Sequence, residues 1–178
     1  NNGGFDLGAE MWAYVPYNLL PHLSCLTSKN YQHQYYVDLK PRVFDAQVFY
    51  DDEDHPNGWG TILVCGFNFG GDGQQNLTVG TKYFGSSFFM FDVTNPEVPP
   101  IFLGELTFDG TYTLGYAVNQ PTLVAVNGSD GKRYWYMLFG TGPLETDGQS
   151  NQKAQVIVVP MASLIDTTNF ATRNKPST

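Results

Sequence analysis

The fold of this chain is decided by two stretches that read alike, Trp59-Gly-Thr-Ile-Leu-Val-Cys-Gly66 and Tyr134-Trp-Tyr-Met-Leu-Phe-Gly140. Both are rich in aliphatic and aromatic residues and end at a glycine, which is typical of a strand followed by a turn. A proline-led apolar stretch precedes each of them, beginning at Pro41 and at Pro121. An offset of about 75 to 80 residues between the two series predicts two copies of one β unit.

A third pair of strands extends the repeat, because Ser87-Phe-Phe-Met-Phe-Asp-Val93 aligns with Ala154-Gln-Val-Ile-Val-Val-Pro160. The offset is long for one four-stranded unit, and polar insertions at 51–58, 70–85 and 143–152 account for the excess. A four-stranded unit buries its faces only against its neighbours in a ring. The repetition therefore predicts an all-β fold and, within it, part of a β-propeller.

The predicted organisation is a single propeller fragment over residues 1–178, with about two four-stranded antiparallel blades and part of a third. Residues 9–30 would end a preceding blade, 35–110 would form one blade and 114–170 the next. Leucines at helical spacing predict one short helix near residues 18–26, and a turn is expected at 162–165. Strands are predicted over 10–15, 35–37, 42–50, 60–67, 86–93, 101–108, 114–118, 122–126, 134–139, 154–159 and 165–170.

Composition narrows the class of protein. Only 15% of the residues are charged, against 19 glycines, 11 tyrosines and 13 phenylalanines, which favours aromatic strands joined by tight turns. The net charge of −8 disfavours nucleic acid as a partner. No long apolar run predicts a membrane span, and no leader pattern opens the sequence. We interpret the chain as a piece of a longer protein whose export signal would lie upstream.

The two cysteines leave two interpretations open. Cys25 and Cys65 are far enough apart in sequence for a disulfide to close a loop of about 40 residues. Alternatively, both are thiols that pack as small apolar groups. The spacing of a single pair does not decide between them.

The acidic cluster Asp51-Asp-Glu-Asp54 is the most conspicuous candidate for a metal site, since its oxygens suit calcium. Its spacing does not fit a calcium loop of the helix-loop-helix type. Counting from Asp52, the fifth position is Pro56 and the position that needs glycine is Asn57. Asp51, Asp52 and Asp54 therefore stay weak metal candidates, and a solvated hairpin tip is the favoured interpretation. A second stretch, 72–76, carries a single carboxylate.

Catalytic patterns are missing from the sequence. The three histidines, His22, His33 and His55, are scattered without partners at zinc-ligand spacing. No nucleophile motif is present, and no glycine-rich loop leads into a helix that would hold a phosphate. Carboxylate pairs that meet only in the folded protein stay possible, but no pair stands out. We predict no catalytic residue and no bound cofactor in this chain.

Six motifs in a fixed order carry a family resemblance: Glu10-Met-Trp-Ala-Tyr-Val-Pro-Tyr-Asn-Leu-Leu-Pro21, Tyr35-Tyr-Val-Asp38, Gly58-Trp-Gly-Thr-Ile-Leu-Val64, Phe91-Asp-Val-Thr-Asn-Pro96, Leu114-Gly-Tyr116 and Phe139-Gly-Thr-Gly-Pro143. Over residues 9 to 166 the chain resembles the C-terminal domain of the PilY/PilC class of type IV pilus biogenesis and tip-adhesin proteins. An ordered series of this length is more specific than any one of its motifs.

The resemblance implies a quinoprotein-like propeller in an exported protein that passes the periplasm and outer membrane to the pilus tip or cell surface. It implies a role in pilus assembly, surface attachment and twitching motility, with minor pilins and a host or abiotic surface as partners. It also implies calcium on an Asp-x-Asp-x-Asp-Gly loop of the parent protein. No residue of this chain matches that loop, so calcium is expected for the parent alone.

Two other functions share the predicted architecture. Dehydrogenases that use pyrroloquinoline quinone (PQQ) are also propellers, and Trp59 and Trp135 occupy equivalent strands as docking tryptophans would. The rest of that pattern is absent. A sugar-binding propeller is the other alternative, because aromatic residues such as Trp12, Tyr14 and Tyr31 offer stacking faces. Core packing between blades is the favoured interpretation of that aromatic stretch.

Overall fold

The computed structural model describes residues 6–70, 77–108, 114–145 and 147–166. This part of the chain is mostly β, with little helix, so the all-β prediction is confirmed. Its nine strands are β1 (Arg42–Gln47), β2 (Trp59–Gly66), β3 (Leu77–Val79), β4 (Lys82–Phe84), β5 (Ser87–Asp92), β6 (Ile101–Thr107), β7 (Thr122–Asn127), β8 (Arg133–Gly140) and β9 (Val156–Pro160).

The strands form three antiparallel sheets. The first sheet has the order β1-β2-β5-β6 and the second has the order β7-β8-β9. Strands β3 and β4 pair as a small hairpin between β2 and β5, inside the segment that we interpreted as a polar insertion. The two larger sheets are therefore built alike, each from successive antiparallel neighbours, as the internal repeat requires.

Helical structure is confined to short segments. A run of 3₁₀ turns covers Tyr17–Thr27, which confirms the helix predicted near residues 18–26. Pro21 lies inside this run and removes one backbone donor, which interrupts the helical ladder. A helix at Met161–Asp166 follows β9 where a turn was expected. No helix in the described ranges is long and apolar enough to cross a bilayer.

Three predicted strands are wrong. Residues 10–15 and 35–37 belong to no strand, and 114–118 contributes a single bridge between Asn68 and Ala117. In the first stretch Tyr14 packs on Phe91 and Phe102 of the sheet without ladder hydrogen bonds, while Met11, Trp12 and Val15 stay exposed. Residues 165–166 are helical, and the rest of the strand predicted at 165–170 lies outside the described residues.

The first sheet is covered on both faces. Ile62 and Val64 point into a core shared with Met137 and Phe139 of the second sheet, and all four side chains are buried. The opposite face, which includes Phe89 with Leu63 and Cys65, packs under the N-terminal segment. The sheet therefore lies between two layers, and apolar residues occupy both sides of β5, which is buried along its whole length.

The strand register supports the repeat. Arg42 faces Val64 in the first sheet, and Thr122 faces Leu138 in the second, so the alignment of Pro41 with Pro121 brings equivalent positions together. The alignment of the third strands is wrong by one residue. Phe88 faces Gly66 and Val156 faces Gly140, so Phe88 corresponds to Val156, not to Gln155. A shift of one residue exchanges the two faces of a strand, and short apolar runs carry no signal that prevents it.

The repeat also appears in a close backbone contact. In each copy a tyrosine ahead of the first strand lies against a glycine of the loop that follows the second strand. An added Cβ would overlap the Tyr36 carbonyl oxygen at Gly70 and the Tyr116 carbonyl oxygen at Gly142. Gly142 also donates its N–H to the carbonyl of Leu114 at 2.8 Å. Only glycine permits this approach of two backbone segments.

Replacing Gly142 with alanine is expected to lower the free energy of unfolding by about 2 to 3 kcal/mol, because rigid backbone has to move to admit the methyl group. Urea unfolding monitored by circular dichroism measures the effect. Gly140→Ala is the matched control, since its Cβ would meet the side-chain nitrogen of Asn119 at 3.0 Å, which can turn away. Equal losses in the two variants would contradict the backbone contact.

Candidate functional site

The acidic loop between β1 and β2 is folded upon itself. Asp51 accepts a hydrogen bond from the backbone N–H of Asn57 at 2.7 Å. Asp52 accepts from the backbone N–H groups of Asp54 and His55 at 3.0 and 2.8 Å. Asp54 in turn accepts from the side-chain amide of Asn95 at 3.0 Å. The three carboxylates that were weak metal candidates therefore all bind donors of the chain itself.

His55 joins this loop to the first sheet. Its Nδ1 lies 2.8 Å from the Oδ1 atom of Asp52, and its Nε2 lies 2.9 Å from the Oδ2 atom of Asp92. The ring stacks on Phe49 with the centroids 4.2 Å apart. His55 and Asp92 are 3% and 4% exposed, so both members of this contact are out of water. We call the group of Asp52, His55 and Asp92 the His55 clamp.

The clamp contacts both nitrogens of the ring. An ionised carboxylate only accepts hydrogen bonds, so the roles of Nδ1 and Nε2 depend on which of them carries a hydrogen. Asp92 also accepts from the backbone N–H and the hydroxyl of Thr94. Its charge is thus compensated by at least two donors, which is the condition for keeping a carboxylate buried.

The clamp predicts a loss of stability in acid. Burial of Asp52 raises the pKa of its carboxyl, but the hydrogen bonds from His55 and Asp54 outweigh it and hold the pKa below the ordinary 3.8. This contribution is complete above the unfolded pKa and disappears as the pH falls through the lower folded value. We expect the urea midpoint to drop between about pH 4 and pH 2, and to drop less in Asp52→Asn. An equal pH profile in both proteins would contradict the contribution of Asp52.

Sequence reasoning missed Asp92, although a weak signal was present. Asp92 ends an apolar strand and opens the turn Asp92-Val-Thr-Asn-Pro96, where an aspartate ordinarily bonds its own backbone. His55 was assigned no partner because the residue it meets lies 37 positions away. Within the described ranges, no group of three or more histidine, cysteine or acidic side chains is placed to hold a metal ion. The calcium expectation rests on the family resemblance, and the stretch at 72–76 lies outside the described residues.

The aromatic N-terminal stretch packs on the first sheet. Tyr14 lies 4.9 Å from Phe91 edge-on and 5.1 Å from Phe102 in a stacked arrangement. Trp12 contacts Phe91 at 5.7 Å and stays 44% exposed. A second apolar cluster is formed by Leu19, Phe67, Phe89 and Phe91. The prediction that this stretch serves core packing fits Tyr14 and Tyr36, which pack against this cluster. Trp12 is different, because a large part of its surface stays open.

Glu105 on β6 holds this N-terminal stretch in place. Its carboxylate accepts from the backbone N–H groups of Tyr17 and Asn18 at 2.8 and 3.1 Å, where the 3₁₀ run begins. It also accepts from the Asn18 amide at 2.6 Å and the Ser87 hydroxyl at 2.9 Å. Burial and the neighbouring Glu105 carboxylate raise the pKa of Tyr14, so this phenol stays protonated. Sequence reasoning gave Glu105 no role, because its partners Tyr17 and Asn18 lie 88 and 87 residues earlier.

The cysteines are both free and half-buried. Burial raises the pKa of the Cys65 thiol, which keeps it protonated and unreactive. Cys65 packs against the second apolar cluster, as the apolar interpretation of the cysteines expects.

Trp59 and Trp135 lie on β2 and β8, the second strand of each larger sheet. Their rings meet edge to face with the centroids 5.9 Å apart. Both tryptophans therefore contribute to the contact between the sheets, and Trp135 packs against the shared core. The two tryptophans lie on equivalent strands but at different positions, because the register pairs Trp59 with Gln47 and Arg133 with Asn127 at the corresponding place of the second sheet.

Three PilY1 proteins match most of the chain. A type IV pilus biogenesis factor PilY1 homolog of Xylella fastidiosa (strain Temecula1) is 32% identical over 148 residues, which is 82% of this chain. The PilY1 factor of Pseudomonas aeruginosa (strain UCBPP-PA14) is 29% identical over 163 residues, or 89% of this chain. The resemblance to the PilY/PilC class is confirmed. A second homolog of X. fastidiosa is 32% identical over 154 residues.

The match covers a small part of each PilY1 protein. The chain spans 8%, 12% and 10% of the lengths of these three relatives. No family model matches the chain, and no solved structure does. The PilY1 relatives are named for type IV pilus biogenesis, and this chain belongs to their family.

Proposed function

We propose that this chain is a non-catalytic module of a type IV pilus biogenesis factor, and that it supports pilus assembly, surface attachment and twitching motility. The observation that carries the proposal is the match to PilY1 proteins along 82 to 89% of the chain in three cases. The buried polar groups of the described residues agree with it. The charged groups of the His55 clamp and Glu105 form internal hydrogen bonds that hold segments of the chain together. Their role is therefore structural.

The proposed location follows from the proposed role. A pilus factor of this kind would be exported through the periplasm and outer membrane and would act at the pilus tip or cell surface. Its partners would be minor pilins and a host or abiotic surface. Calcium would be bound by another part of the parent protein.

Deletion of the parent gene tests the proposal. We expect fewer surface pili, weaker attachment and smaller twitching zones, with recovery on complementation by the wild-type gene. Complementation with Gly142→Ala should recover less than complementation with Gly140→Ala, because only the first disturbs the backbone of the module. Normal piliation, attachment and twitching in the deletion strain would overturn the proposal.

We further propose that the two sheets are neighbouring blades of a propeller. Leu63 and Cys65 of the first sheet correspond to Met137 and Phe139 of the second. The first pair faces the N-terminal stretch and the second pair faces the first sheet, so equivalent faces of the two sheets are turned in the same direction. Equivalent faces that point in one direction allow the same contact to be repeated by further sheets. Stacking of this kind is the rule in propellers, where each blade covers the next.

The outer face of the second sheet is the place for the next blade. Val158 faces Leu138 as Met90 faces Val64, yet Val158 is 53% exposed where Met90 is fully buried. Val156, the counterpart of buried Phe88, is 73% exposed. An apolar sheet face of this type is normally covered in a stable protein.

Labelling of a cysteine at position 158 tests this arrangement. With Cys25 and Cys65 changed to serine, Val158→Cys should react with a maleimide in the 178-residue chain and resist it in the longer protein. Lys132→Cys, in the exposed turn between β7 and β8, is the control and should react in both. Equal labelling of Val158→Cys in the two proteins would contradict a covering blade.

A further inference from the structure

A groove lies between the N-terminal stretch and the connection from β5 to β6. The N-terminal stretch contributes Trp12 to one wall, and the connection contributes Val93 and the prolines Pro96, Pro99 and Pro100 to the other. The volume is about 230 Å³, which is enough for one or two side chains. The groove is thus formed by two segments that are about 80 residues apart in sequence.

The walls of the groove are held in position. Trp12 rests on Phe91, which is 4% exposed, and its remaining surface is open. In the opposite wall the backbone N–H of Glu97 donates to the Asn95 side chain at 3.0 Å, and Asn95 donates to Asp54. Three prolines restrict the backbone of the same connection. Little conformational freedom would be lost when a ligand enters, which favours binding.

A second cavity of about 230 Å³ continues the groove at its polar end. The two share Asn95, Val98 and Pro99, and the second adds Asp54, Asp92 and Thr94. No lysine or arginine lines either cavity, whereas Glu97 lies in the first. The combined groove is therefore apolar at one end and acidic at the other.

We propose that this groove binds an extended peptide segment in which an apolar side chain is followed by a lysine or arginine. The apolar residue would occupy the space between Trp12 and the prolines. The basic residue would lay its aliphatic stem along that wall, with its charge near Glu97 and Asp54 and next to the open face of Trp12. The net charge of −8 opposes an acidic segment at the same place.

A sugar ligand fits the groove less well than a peptide does. Sugars need polar groups on several sides of an aromatic platform, and the cavity that Trp12 lines offers only Asn95 and Glu97. Asn95 is already engaged with Asp54 and the Glu97 backbone. The inference goes beyond the proposed pilus role and does not depend on it, because it is drawn from the groove alone.

Fluorine NMR of the 178-residue chain labelled with 5-fluorotryptophan tests the proposal, since its three tryptophans give three signals. The probe is an acetylated and amidated Gly-Leu-Lys-Gly peptide, and Trp12→Phe assigns the signal. We expect the Trp12 signal to shift with a dissociation constant on the order of 1 mM. Trp59 and Trp135, whose rings pack together, should stay unchanged.

Charge variants decide whether the acidic end matters. A Gly-Leu-Gln-Gly peptide should bind about fivefold more weakly, and Glu97→Gln should weaken the lysine peptide by about threefold. Glu53→Gln is the matched control, because it removes the same charge from an exposed residue that lines neither cavity. It should leave the affinity unchanged.

Several outcomes would overturn the inference. One is the absence of any Trp12 shift up to about 10 mM peptide. Another is equal binding of a Gly-Leu-Glu-Gly peptide, and a third is equal weakening by Glu97→Gln and Glu53→Gln. A Trp12 shift caused by methyl α-mannoside and insensitive to Glu97→Gln would replace the peptide with a sugar.

Discussion

Replacing Glu105 with alanine is expected to lower the free energy of unfolding by about 3 kcal/mol, one of the two largest effects for a side chain of this protein. The carboxylate accepts two backbone N–H groups at the start of the 3₁₀ run, together with the Asn18 amide and the Ser87 hydroxyl. Asn18 is 3% exposed, so water cannot readily replace the lost acceptor. Urea unfolding measures the loss.

Hydrogen exchange separates a local from a global effect in this variant. Amides of residues 14–27 should lose more protection than those of β2, because the N-terminal stretch is released before the sheet opens. Glu105→Gln keeps an acceptor oxygen and should lose about half as much stability. Glu97→Ala, on an exposed loop residue, is the control and should change little. A Glu105→Ala protein as stable as this control would show that the anchor is unimportant.

Replacing His55 with alanine is expected to cost about 3 kcal/mol as well, since it leaves the Asp92 carboxylate buried without its ring partner. The change also removes the ring that stacks on Phe49 at 4.2 Å, so a cavity adds to the loss. The acidic loop should detach from the sheet. Thermal and urea unfolding at pH 7 measure the change.

A double-mutant cycle isolates the clamp from the cavity. The losses in His55→Ala and Asp92→Asn should sum to more than the loss in the double variant, with a coupling of about 1 to 3 kcal/mol. Glu53→Gln lies in the same loop and should be neutral, because it is exposed and has no part in the clamp. Additive losses would mean that His55 and Asp92 act separately.

The strands of the repeat were largely predictable because each combines a period-two or wholly apolar pattern with glycine or proline at its ends. β2 and β8 differ from the predicted bounds by a single residue at either end. The stretches 10–15 and 35–37 carry the same aromatic signal and are not strands. Aromatic side chains pack on the face of a sheet as readily as they occur within a strand. Composition alone therefore does not distinguish the two arrangements.

The candidate polar residues were harder to predict. Asp51, Asp52 and Asp54 stood out because they are adjacent in sequence, yet the structure places Asp52 in a clamp with His55 and Asp92. Glu105 was unremarkable in sequence and holds the N-terminal stretch. Hydrogen bonds of this kind join residues 37 to 88 positions apart, and local patterns carry no information on such pairs.

By itself the sequence determined the all-β class, the two-fold internal repeat and the relation to pilus biogenesis factors, because these depend on local periodicity and on the order of motifs. Only the tertiary structure decided which faces meet, where the third strands align and which carboxylates are compensated. The physical reason is that strand pairing and burial are set by contacts between distant segments. A carboxylate holds a distant segment in place only when the fold brings hydrogen-bond donors to it and excludes water from the contact.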